Sequence, residues 1–118
     1  MARKDDIGRW GEAVAADYLA QRGYEILEKN WRHSLGEIDI IARSNGRLVF
    51  AEVKTRTGRG YGHPFEAITT TKLDRLRRLA LAWCRQHEIS PRQIRIDAIA
   101  VLGVPDRTPN IEHLTGVY

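Results

Sequence analysis

A single cysteine, Cys84, in 118 residues excludes an internal disulfide and any zinc cluster built on cysteines, and it suits a reducing compartment. No apolar run approaches the roughly 20 residues of a membrane span. The opening Met1-Ala2-Arg3-Lys4-Asp5-Asp6 lacks the apolar core of a signal peptide. A cytoplasmic protein without membrane contact is therefore expected. The four histidines, His33, His63, His87 and His113, have no carboxylate or hydroxyl partner evident from spacing, so a histidine-based hydrolase has no support. No repeat, linker or low-complexity stretch interrupts the chain. What remains, 42% hydrophobic and 29% charged residues, is the make-up of one globular domain covering 1–118.

Net charge is only +4, from 19 Lys and Arg against 15 Asp and Glu, but it is unevenly placed. Lys54, Arg56, Arg59, Lys72, Arg75, Arg77, Arg78 and Arg85 face only Glu66 and Asp74 in the stretch from 54 to 85. The rest of the chain is net negative. Such a segment suits a polyanion.

The most informative stretch is Gly36-Glu37-Ile38-Asp39-Ile40-Ile41-Ala42, followed by Leu48-Val49-Phe50-Ala51-Glu52-Val53-Lys54. Between them lies Asn45-Gly46, the strongest short hairpin signal. With those two residues at the turn, Ser44 faces Arg47, Asp39 faces Glu52 and Glu37 faces Lys54. Opposed residues share a face with Cβ atoms roughly 4.5–5.5 Å apart, and two carboxylates so placed call for a proton or a cation between them. Two hard oxygen donors suit Mg²⁺ or Mn²⁺, and Lys54, a strand period beyond Glu52, reaches the same spot. A solvated face with a cross-strand ion pair is the plainer alternative. The apolar flanks, Ile38, Ile40, Ile41, Val49, Phe50 and Val53, favour burial instead.

A helix is expected from about Ile7 to Arg22, capped by Asp5 or Asp6 and ended by Gly23. Glu12 falls at the border of its apolar arc among glycines and alanines. It is either a boundary glutamate reaching water or a third carboxylate for the same cation. A strand over Tyr24–Arg32 follows. The loop from Thr55 to Phe65, with three glycines and two arginines, lets a phosphate backbone approach, and Tyr61 and Phe65 are candidates for stacking on bases. A second helix, capped by Thr69, Thr70 or Thr71 and running to about His87, buries Leu73, Leu76, Leu79, Ala80, Trp83, Cys84 and His87. Its core position gives Cys84 no nucleophilic role. Arg75, Arg78 and Arg85 project outward with Lys72 at the flank, a one-signed face for nucleic acid. Gln93–Leu102 is a strand in which Asp97 pairs with Arg95, and Ile111–Thr115 is a short edge strand.

The order helix, strand, hairpin, helix, strand, with Asp39 and then Glu52-Val53-Lys54, resembles the PD-(D/E)xK nuclease superfamily. More narrowly, Gly8-x-x-Gly11-Glu12-x-x-Ala15, Gly23-Tyr24, Asn30-Trp31-Arg32, Gly36-Glu37-Ile38-Asp39 and Phe50-Ala51-Glu52-Val53-Lys54-Thr55-Arg56 resemble the YraN family of small bacterial proteins. Ile38 stands where the motif name has proline. The resemblance implies a restriction-endonuclease-like α/β fold, an αβββαβ core with a mixed sheet flanked by helices. It implies a metal-dependent endonuclease acting on structured or branched DNA, with DNA preferred to RNA and a homodimer able to cut two strands. A nucleic-acid-binding module that keeps the fold without turnover is the alternative. By resemblance, Asp39, Glu52 and the Val53 carbonyl hold Mg²⁺ or Mn²⁺, Glu12 joins them, and Lys54 assists the attacking water. Arg56, Arg59, Lys72, Arg75, Arg78 and Arg85 are the expected nucleic-acid contacts.

Overall fold

The Asn-Gly turn forms as the sequence predicts, and the sheet extends from it. The computed structural model describes residues 4–58 and 62–118. Its elements are α1 (Lys4–Gln21), β1 (Glu25–His33), β2 (Gly36–Ser44), β3 (Arg47–Arg56), α2 (Thr70–Gln86), β4 (Ile94–Leu102) and β5 (Asn110–Leu114). Asn45 and Gly46 have φ of 50° and 78°, the two left-handed residues of a type I′ turn, whose twist matches the flanking strands. β2 and β3 accordingly pair from Ser44↔Arg47 to Ile40↔Ala51, the expected register.

Strand order in the sheet is β1-β2-β3-β4-β5. All neighbours are antiparallel except β3 and β4, which run parallel. A parallel pair needs a crossover, and α2 lies within it. This is the mixed α/β sheet and αβββαβ order expected, with β5 as a terminal edge strand.

The two helices cover opposite faces. On one, Leu76, Leu79, Trp83 and Cys84 of α2 pack on Trp31, Ile38, Ile41, Phe50 and Ile96. On the other, Ala15, Ala16 and Leu19 of α1 pack on Ile40, Ala42, Val49, Ala51, Val53, Ile99 and Val101. Burial on both faces explains why β2 and β3 are apolar almost throughout. Among the described residues no helix is long and apolar enough to cross a membrane.

α1 begins earlier than expected, so Asp5 and Asp6 lie in its first turn rather than capping it, where carboxylates favour the positive end of the helix dipole. Gly23, at φ 88°, ends it: Tyr24 N–H donates to Leu19 O at 3.0 Å and Gly23 N–H to Ala20 O at 3.1 Å, a Schellman ending. Gly11 is where α1 comes closest to the sheet, since a Cβ there would lie 1.9 Å from Thr55 Oγ1. At Gly8 the same atom would meet nothing within 4 Å.

α2 is capped by Thr69, whose side chain accepts from Lys72 N–H at 3.2 Å. His87 is not in the core as expected. It is exposed at the C-cap, with its ring stacked on Trp83 at 4.0 Å between centroids. Regular structure resumes within the expected loop at Pro64. Pro64–Ala67 forms a 3-10 turn in which His63 Nδ1 accepts from Phe65 N–H at 3.1 Å. The half-buried Phe65 ring leans on His63 at 4.9 Å between centroids. Arg59 and Tyr61 lie outside the described residues.

Candidate metal centre

β2 changes character at Asp39. Ile40 and Ala42 face α1, yet Ile38 packs with the α2 face. A Cβ on Gly36 would lie 3.3 Å from Arg75 Cδ and 3.5 Å from Leu79 Cδ1, also on the α2 side. Residues two apart in a regular strand share a face, so the alternation is interrupted between Ile38 and Ile40. The β2–β3 ladder ends there too. Its last pair is Ile40↔Ala51, one short of the opposition expected for Asp39 and Glu52 and well short of that for Glu37 and Lys54. In place of a ladder bond, Val53 N–H donates to Asp39 Oδ2 at 2.8 Å.

This interruption gathers carboxylates from three elements. Glu12 of α1 and Glu37 and Asp39 of β2 each offer an oxygen within 4.8 Å of the others. Glu12 reaches the cluster because Gly11 lets its helix settle on Thr55. Glu37 is a member the sequence reading did not assign to the site. Its carboxylate also faces Arg32 at 3.6 Å on the exposed side. Asn30 of β1, with its amide nitrogen turned toward the carboxylates, donates to Glu12 Oε1 at 2.8 Å and to Glu37 Oε1 at 2.9 Å. Glu52 is not one of the tight trio, but its charge acts strongly on Asp39.

The electrostatic result is a set of carboxylates held away from their usual pKa. Burial first, then the Glu52 charge, and further Glu12 and Glu37, push Asp39 up to about 8 against the single opposing bond from Val53. Glu52 is also raised by burial, while Lys54 and Lys72 pull it back and Glu12 and Glu37 push it further. Glu12 is raised by burial and by Glu37, offset in part by hydrogen bonds with Asn30 and Asp39. Within such a group, shared protons or a cation must supply the missing positive charge.

Beside the cluster is a cleft lined by Glu37, Glu52, Lys72, Arg75, Leu76 and Leu79. Lys72 and Arg75 are thus brought to the carboxylates by the first turns of α2, and Lys54 lies next to Glu52 by its effect on that group. Arg78 and Arg85 are exposed on α2 without lining the cleft. Arg56 ends β3 half-buried and donates to Thr55 O at 3.3 Å. Cys84 is buried, and burial raises its thiol, in keeping with a core role.

A second buried carboxylate has a different setting. Asp97 of β4 is 0% exposed and accepts from Arg95 Nε at 2.9 Å and Nη2 at 2.8 Å. The Arg95 pair was expected; the rest was not. His113 of β5, read from sequence as lacking a partner, bonds Asp97 through Nε2 at 2.7 Å and Tyr18 through Nδ1 at 3.2 Å. Gly116 N–H donates to Asp97 at 3.1 Å, and Arg95 donates to Tyr24 at 2.6 Å. Burial alone would raise Asp97, but the bonds from His113, Arg95 and Gly116 outweigh it and hold the carboxyl below its usual range. His63 likewise has an unforeseen partner in Glu112.

In overall shape the chain is similar to part of a chain in the solved EndoMS–dsDNA2 complex, at a TM-score of 0.45 and 16% identity, covering 74% of this chain and 34% of that one. By sequence it is 52% identical over 117 residues to a UPF0102 protein of Leifsonia xyli subsp. xyli, covering 99% of both chains. It is 53% identical over 117 residues to one from Arthrobacter sp. strain FB24, again covering 99% of both. One from Nocardia farcinica is 46% identical over 115 residues, covering 98% of this chain and 91% of the other. Residues 11–101 match the model of the uncharacterised protein family UPF0102, a span that takes in Glu12, Glu37, Asp39, Glu52 and Lys54; the chain belongs to that family.

Proposed function

We propose that the protein is a metal-dependent endonuclease that hydrolyses phosphodiester bonds in DNA, with branched or otherwise structured DNA as its substrate. The observation carrying this reading is the carboxylate cluster with Asp39 pushed up to about 8, bordered by Lys54, Lys72 and Arg75. The donor set fits Mg²⁺ or Mn²⁺: it is built of hard carboxylate oxygens with neither thiolate nor imidazole, the chemistry these ions take. Glu12, Glu37, Asp39, Glu52 and the Val53 carbonyl would hold the ion. When bound, it supplies Lewis acidity toward water and phosphoryl oxygens.

The chain's own residues do the rest. Val53 N–H fixes the Asp39 carboxylate in place. Lys54 presents an ammonium beside Glu52, where it offsets negative charge developing on phosphorus. Lys72 and Arg75 bind backbone phosphates at the cleft, and the buried Leu76 and Leu79 form its apolar lining. Arg56, Arg78 and Arg85 extend the contact along the strand end and helix, and Arg59 is a further candidate contact outside the described residues. A homodimer would place two such clefts on the two strands of one substrate.

The test is cleavage of linear, flapped and four-way DNA with Mn²⁺ by the parent, Asp39→Ala and Lys54→Ala. The parent cuts and both variants lose at least about 10²-fold in rate. A parent that binds these DNAs and cuts none of them is instead a nucleic-acid-binding module.

A further inference from the structure

Asn30 sits between the β1–β2 pairs Lys29↔Ile40 and Trp31↔Ile38, beside the interruption at Asp39. Its φ is 55°, a left-handed conformation that within a strand is unusual and that Asn accepts more readily than other side-chain-bearing residues. That backbone breaks the regular course of β1 at the point where its amide meets two carboxylates on two different elements. An amide nitrogen has two hydrogens, and here each goes to a different acid: Glu12 Oε1 at 2.8 Å and Glu37 Oε1 at 2.9 Å.

We propose that Asn30 is a positioning residue for the cation site: its neutral amide clamps Glu12 of α1 to Glu37 of β2 and holds both beside Asp39. This rests on the metal-site reading given above. The chemistry of the residue supports it. A lysine at this place would neutralise the carboxylates and compete with a cation, and a carboxylate would add repulsion. A neutral donor holds two acids together while leaving their charge for a ligand. Groups that orient ligands in this way commonly change cation affinity by about 10–100-fold when removed.

Asn30→Gly isolates the amide, because glycine takes the same backbone conformation without strain. Mn²⁺ binding is measured by calorimetry at fixed pH for the parent, Asn30→Gly, Glu12→Ala/Glu37→Ala, and the triple variant, with melting in EDTA as the check on folding. Asn30→Gly is expected to melt as the parent does in EDTA and to bind Mn²⁺ at least about tenfold more weakly. In the Glu12→Ala/Glu37→Ala background the weaker Mn²⁺ binding left to Asp39 and Glu52 is unchanged by Asn30→Gly, because the amide has lost both acceptors. Equal Mn²⁺ affinity in the parent and Asn30→Gly overturns the positioning role and leaves the metal site standing. So does an undiminished loss in the double-variant background, which marks Asn30 as acting through the strand alone. A parent that does not bind Mn²⁺ overturns both.

Discussion

Asp39 and Asp97 are aspartates on two strands of one sheet, both taken from water, and their settings have opposite consequences. Asp97 is enclosed by Arg95, His113 and the Gly116 amide, which hold it charged and below its usual range. Asp39 receives one backbone bond and is surrounded by Glu12, Glu37 and Glu52, which help push it up to about 8. Burial acts in the same direction on both, so the difference lies in the neighbours. Asp97 is a finished structural network tying β4 to β5 and the C-terminal residues. Asp39 lies among carboxylates with a single backbone bond, the arrangement on which the proposed cation site rests.

The comparison breaks most visibly at Asp97. Asp97→Ala strands a guanidinium whose side chain is 19% exposed and should destabilise the fold by about 3–5 kcal/mol, read from urea unfolding. A loss under about 1 kcal/mol would mean the network contributes little. Asp39→Asn should act with the opposite sign. A carboxyl whose folded pKa is raised contributes stability that is full below its ordinary pKa and is lost as pH rises through the raised one. The metal-free parent should therefore weaken between about pH 4 and pH 8. Asn, which mimics the protonated form, should be more stable than the parent at pH 8, by up to about 5 kcal/mol, and no more stable at pH 4. Asp97 predicts the reverse slope, its contribution being lost as pH falls through its lowered pKa. Parallel pH profiles for Asp39→Asn and the parent would remove the contrast.

A third test sharpens how Glu12 reaches the cluster. Gly11→Ala forces a Cβ against Thr55 and should cost about 2 kcal/mol, with weaker Mn²⁺ binding. Gly8→Ala, in open space, should be neutral or stabilise by about 0.5 kcal/mol. Equal effects at the two glycines would show that the helix approach does not set the site. The smallest expected effect is on binding. Lys72→Ala with Arg75→Ala should lower DNA affinity about tenfold and reduce the salt slope by about 2, whereas Arg78→Ala with Arg85→Ala should do less. The opposite ranking would move the DNA path away from the cleft.

Much of this was legible in the residues, and the exceptions share a cause. Asn45-Gly46 dictated a turn type, the turn dictated the register, and the register held to Ile40↔Ala51. The two-residue alternation that extends such a register failed at Asp39, because β2 shifts faces there and the neighbouring strand turns left-handed at Asn30. Neither event has a signature in a pattern of apolar and polar residues, so Glu37 and Asn30 went unassigned. Glu12 was legible as a candidate because small neighbours flanked it, and Gly11 proved to be the close approach. Arg95 was visible beside Asp97 at a strand period. His113 was not, since its meeting with Asp97 depends on β5 pairing across β4, which local spacing cannot specify.

The most direct test is the melting of the parent and Asp39→Asn at pH 8, each with and without Mn²⁺. The parent should gain about 2.7 kcal/mol of stability at a hundredfold excess over its dissociation constant, and Asp39→Asn, already more stable without metal, should gain little. Equal gains in the two proteins, or none in the parent, would contradict the claim that these acids are assembled around a cation.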